Sequence, residues 1–109
     1  MFGISLGPKN VTAQEAHELL GTEGHCLVDV RTHEEVAEVA VPGALHIPLD
    51  KLETEAHKLK DYTSIHVMCR SGGRSAMATS ALHGIGMTHA KNVSGGIIAW
   101  QQAKLPTRK

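Results

Sequence analysis

Two spacings of apolar residues divide the chain. Short, largely apolar runs bounded by turn residues, Cys26–Val30, Ala44–Ile47 and Ser64–Cys69, predict strands, and a last strand is predicted near Ala90–Val93. The near-continuous character of the longer runs is that of strands buried on both faces. Between them, apolar residues recur at helical spacing: Ala16, Leu19 and Leu20; Val36 and Val39; Leu49, Leu52, Ala56 and Leu59; Ser75 to Leu82; and Ile97 to Ala103. Thr12-Ala-Gln-Glu15 and Thr32-His-Glu-Glu35 are capping boxes, in which the threonine hydroxyl accepts from the third helical residue and the glutamate reaches back. Gly21, Pro42-Gly43, Gly84 and Gly86 supply the stops. Strands alternating with helices predict an α/β fold, a parallel sheet flanked by helices on both faces. Such sheets bind ligands beyond the C-terminal ends of their strands, which is where Cys69 falls.

The composition narrows the partners. At 109 residues, 41% apolar and 20% charged, the chain has the size and composition of one folded domain. The longest apolar run, Ile97 to Trp100, is four residues, against the roughly 20 a membrane span needs. The N-terminal segment from Met1 to Lys9 has no basic start, long apolar stretch or small-residue cleavage site, so no secretory signal is expected and the cytoplasm is the expected compartment. Zero net charge and only Phe2, Tyr62 and Trp100 as aromatics offer neither a phosphate footprint nor a stacking platform, so nucleic acid is not an expected partner. The zero conceals an asymmetry: all 11 carboxylates lie between Glu15 and Asp61, whereas residues 62–109 carry six Lys and Arg and no acid. That asymmetry matters only if an anion site lies in the second half.

The segment Cys69-Arg-Ser-Gly-Gly-Arg-Ser75 is such a candidate. A thiol at a strand end is followed by a tight turn and a helix start. Unpaired N–H groups, the positive end of the helix dipole and the charges of Arg70 and Arg74 all favour thiolate over thiol. Gly72 and Gly73 let successive N–H groups point inward as a nest for an anion. Cys26, inside an apolar strand with no basic neighbour before Arg31, is expected to be a packing residue. The two cysteines show no Cys-x-x-Cys spacing, so neither a disulfide framework nor a paired redox motif is expected. The eight histidines include no pair two, three or four residues apart, so no metal site is expected. Gly72-Gly73 lacks the lysine and spacing of a nucleotide-binding loop. Trp100 is expected in the core.

Cys69-Arg-Ser-Gly-Gly-Arg-Ser75 resembles the active-site loop of rhodanese-like sulfurtransferases. Leu27-Val-Asp-Val-Arg31 resembles the family's Asp-x-Arg strand, Thr32 to Glu35 the helix start after it, Pro42-Gly-Ala44 with Ile47-Pro48 its proline-glycine turn, and Ser94-Gly-Gly96 with Trp100 and Leu105-Pro106 its C-terminal signature. The chain departs from the family at Val39-Ala-Val41, where Gly-His-Ile is usual, and at Val36, where an aromatic residue is often found. The resemblance implies one rhodanese domain over residues 1–109, built on a five-stranded parallel sheet, that moves a sulfane sulfur from thiosulfate or a similar donor to cyanide or a thiol, including a protein thiol. Cys69 would carry the sulfur as a persulfide, and no cofactor would be needed. Arg70, Ser71, Gly72, Gly73, Arg74 and Ser75 would bind the anionic donor, with no carboxylate nearby in sequence to neutralise them. Asp29 and Arg31 are expected to be a structural pair beneath the loop.

Two other functions remain open. Some relatives of this fold are cysteine phosphatases, whose loop has five residues between cysteine and arginine; here there are four, Arg70 to Gly73, a cradle fitted better to one sulfur atom than to a phosphate. The other is a sulfur carrier or interaction domain with little free turnover, although inactive relatives usually lack the cysteine that this chain retains.

Overall fold

A computed structural model describes residues 9–109. The segment expected to lack a secretory signal lies, except for Lys9, outside the described residues. Five strands, β1 (Asn10–Val11), β2 (His25–Asp29), β3 (Leu45–His46), β4 (Ser64–Met68) and β5 (Ala90–Val93), form one all-parallel sheet in the order β1-β5-β4-β2-β3. The helices are α1 (Ala13–Leu19), α2 (His33–Glu38), α3 (Leu52–Glu55), α4 (Gly73–Gly84) and α5 (Gly96–Gln102). Among the described residues, no helix is long and apolar enough to cross a membrane.

The strand period of two sorts side chains between two apolar layers. Cys26, Val28, Val30, Ile65 and Val67 pack with Leu52, Leu59, Ala78 and Leu82 of the segment around α3 and of α4. Leu27, Met68 and Val93 face the other way, onto Ala13, Ala16, Ile97 and Trp100 of α1 and α5. Trp100 is fully buried and donates from Nε1 to the Pro106 carbonyl at 2.8 Å, which ties down the chain after α5.

Both capping boxes form: the Thr12 and Thr32 hydroxyls accept from the Glu15 and Glu35 backbones, and each glutamate accepts from the threonine N–H. The Leu49–Leu59 stretch is not one helix but a single α-helical turn between two 3₁₀ segments. Leu52, Ala56 and Leu59 still reach the core, because spacings of three and four residues serve either helix type. Strand β1 is a two-residue addition at the sheet edge, too short to leave a periodic signal. At the departures from the family pattern, the Val39 carbonyl accepts from Arg31, Ala40 exchanges backbone hydrogen bonds with Arg108, and Val41 is buried.

Two histidines sit inside the sheet layer. His25 of β2 and His66 of β4 meet edge to face, ring centroids 4.4 Å apart. Burial lowers both; His66 is pushed down to about 4, with His25 and Lys91 acting in the same direction and Glu15 against them. A folded-state pKa below the unfolded value means that the unfolded chain binds the proton first, so stability is lost as pH falls from about 6.5 towards 4. After allowance for solvent screening, the His66 contribution is about 1–2 kcal/mol between pH 7 and pH 5. Thermal melts at the two pH values should show that loss in the native protein and a flatter profile in His66→Leu.

Candidate active site

β4 ends at Met68, so Cys69 is the first residue beyond the strand, and the chain turns at Gly72 (φ 110°) directly into α4. The N-terminus of α4 has no side-chain cap. The Cys69 sulfur stands where a cap would: Sγ accepts the Gly72 N–H at 3.1 Å and lies 3.3 Å from the Ser75 hydroxyl. Burial opposes ionisation and is the largest single influence on this thiol, yet the Ser75 hydroxyl and the N–H groups of Ser75, Gly72 and Ser71 together outweigh it, leaving the thiol below its ordinary range. Cys26 has burial without that compensation. Its thiol is pushed up to about 11, the Tyr62 hydroxyl opposing only weakly, so the packing role read from sequence agrees with its environment.

One neighbour holds the loop from behind. The first turn of α5 donates into it, Ile97 N–H to the Cys69 carbonyl at 2.9 Å and Ile98 N–H to the Arg70 carbonyl at 3.2 Å. This approach requires Gly96, which has φ 57° and whose absent Cβ would overlap both carbonyls. At the end of β2, Asp29 and Arg31 form a buried pair, Nε to Oδ1 at 3.0 Å and Nη2 to Oδ2 at 2.8 Å, and Arg31 Nη2 also donates to the Val39 carbonyl at 2.7 Å. That satisfied pair spans β2 and the chain after α2, the geometry of a brace.

No acid lies near the loop in sequence, but one distant in sequence reaches it: Glu35 of α2 grips Arg74 with both oxygens, Nη1 to Oε1 at 2.7 Å and Nη2 to Oε2 at 2.8 Å. The Arg74 hydrogen bond, burial against it and the Thr32 N–H leave the Glu35 carboxyl at about 2. Sequence distance hid the contact. Parallel pairing of β2 with β4, Asp29 beside Met68, brings the helix after β2 alongside the loop after β4. Arg70 is exposed and forms no ion pair among the described residues. Ser71 and Gly73 are exposed, Gly72 and Ser75 buried. A cleft of about 530 Å³ lies beside the loop, lined by Thr32, His33, Pro48, Leu49 and Arg74 among others.

A family model for the rhodanese-like domain matches residues 12–103. The chain belongs to the rhodanese-like family. It is 36% identical, over 93% of each chain, to a protein of Arabidopsis thaliana named thiosulfate sulfurtransferase 16, chloroplastic, and 32% identical to the human thiosulfate:glutathione sulfurtransferase, covering 86% of this chain and 94% of that one. The crystal structure of a rhodanese-related protein from Thermoplasma volcanium superposes with a TM-score of 0.82 at 25% identity, over 92% of this chain and 97% of that one. This rhodanese-like domain is therefore similar to sulfurtransferases along most of its length, and the residues matched by the family model include the loop that carries Cys69.

Proposed function

We propose that this domain transfers a sulfane sulfur from a small anionic donor such as thiosulfate to a thiophilic acceptor through a persulfide on Cys69. The observation that carries the reading is a buried sulfur with a lowered pKa, seated at the uncapped start of α4. The Cys69 thiolate attacks the outer sulfur of thiosulfate; the new S–S bond forms as the old one breaks, and sulfite leaves with the electron pair. Cyanide or a thiolate then attacks the terminal sulfur, and Cys69 departs as thiolate. In both half-reactions the N–H groups of Ser71, Gly72 and Ser75 and the Ser75 hydroxyl meet the sulfur charge.

Arg70 carries the free positive charge of the loop, while Arg74 is committed to Glu35 and holds the loop against α2. Arg70→Ala should therefore raise KM for thiosulfate roughly tenfold, the scale of one charge-assisted hydrogen bond, and added salt should raise KM more in the native protein than in the variant. Equal salt responses would remove Arg70 from donor binding. The functional test is thiocyanate formation from thiosulfate and cyanide, with aryl phosphate as the parallel substrate. Sulfur transfer without phosphate hydrolysis is expected; brisk hydrolysis that is lost in Cys69→Ser would favour the phosphatase reading.

A further inference from the structure

Ser75 has one hydroxyl proton and three acceptors around it. Its Oγ, completely buried, lies 3.3 Å from Cys69 Sγ, 3.3 Å from the Gly72 carbonyl and against Oδ1 of Asn92. Asn92 is a buried residue of β5, flanked by the half-buried Lys91 and the buried Val93, and its amide is aimed inward at Ser75. Its other end, Nδ2, donates to Oδ1 of Asn10 at 3.0 Å, and the register pairs Asn10 of β1 with Asn92. A polar chain thus crosses two strands, from the exposed side chain of Asn10 through Asn92 and Ser75 to the nucleophile.

With Oδ1 facing Ser75, Asn92 competes with the sulfur for the hydroxyl proton. A half turn of the amide exchanges its ends: Nδ2 then donates to Ser75 Oγ, the proton is released towards Sγ, and Oδ1 faces Asn10, whose exposed amide turns to donate in its place. An ionised sulfur is the stronger acceptor, and each bond in such a chain polarises the next.

We propose that Asn92 is a positioning residue for sulfur transfer: in the thiolate state its Nδ2 donates to Ser75 Oγ and aims the Ser75 hydroxyl at Cys69 Sγ. The proposal rests on the reading of Cys69 as the thiolate nucleophile. The residue acts through Ser75, never on the donor, and Asn10 sets which way the amide faces.

The test is the ultraviolet titration of the Cys69 thiolate, with Cys69→Ser as blank. Asn92→Asp offers Ser75 only acceptors and should raise the Cys69 midpoint by about one unit, equivalent to about 1.4 kcal/mol. Ser75→Ala should raise it similarly, and the double variant should rise no further. Asn10→Asp, at an exposed edge position, pins Nδ2 towards β1; it should raise the midpoint less, and Asn10→Ala should not raise it. The midpoint of the pH–rate profile should move with the titration. An unmoved midpoint in Asn92→Asp, or the full rise persisting in a Ser75→Ala background, overturns the proposal, the latter because the charge would be acting directly on the sulfur. If Asn92→Asp does not fold, an unmoved midpoint in Asn10→Asp overturns it equally. The titration reads the thiolate without turnover, so the expected shifts in a protein that transfers no sulfur would reject the proposed function and leave the relay standing.

Discussion

Cys69→Ser is expected to lower sulfur transfer by more than about 10³-fold, the scale set by loss of a covalent nucleophile, while Cys26→Ser keeps most of the activity. The difference lies in the surroundings of two buried thiols. Both are desolvated and each has a hydroxyl beside it, Tyr62 for Cys26 and Ser75 for Cys69, but only Cys69 also receives the N–H groups of a helix start. A serine at position 69 could take the same hydrogen bonds, so the fold should survive; what is lost is the atom that forms the S–S bond. Steady-state thiocyanate formation, with thermal melts to confirm folding, measures both variants. A folded but inactive Cys26→Ser beside an active Cys69→Ser would move the site to the wrong strand.

Gly96→Ala should have the largest effect of any substitution outside the loop itself. Its φ of 57° belongs to the left-handed region, and the added methyl would collide with the carbonyls of Cys69 and Arg70, backbone that cannot rotate away. Either α5 retreats, losing the two hydrogen bonds from Ile97 and Ile98, or the nucleophile loop shifts. The combined strain and lost bonding amount to about 3 kcal/mol, with sulfur transfer falling at least about 10²-fold because reacting groups tolerate little displacement. Gly84→Ala is the control. That glycine ends α4 without a left-handed φ and with nothing near its absent Cβ, so its stability should stay within about 0.5 kcal/mol of the native protein. Thermal melts and kcat/KM on the two variants would check both; a Gly96→Ala protein with native stability and rate would show that the approach of α5 to the loop is not needed.

The features legible in the sequence were those written in local chemistry. Two capping boxes, three apolar runs and the glycines after Cys69 each act within a few residues, and each appears close to where its spacing places it. β1 was not legible, because two residues at a sheet edge gain their structure from pairing with β5 rather than from their own pattern. The grip of Glu35 on Arg74 was hidden for a different reason. Glu35 already had a local role as the third residue of a capping box, and only the β2–β4 pairing brings its side chain across to the loop. Asn92 gave no signal, being one of two polar residues, with Lys91, in a short strand. The local motif thus pointed to the candidate nucleophile, and the sheet supplies the groups packed around it.

In the proposed mechanism Cys69 carries the transferred sulfur. The most direct measurement is the mass of the Cys69-containing peptide after incubation of the protein with thiosulfate, followed by cyanide or glutathione. A gain of one sulfur atom on that peptide, removed by the acceptor and absent from the Cys26 peptide, is the expected result. A sulfur atom retained on Cys26 with Cys69 unmodified, or thiocyanate formed while neither cysteine ever gains mass, would contradict it.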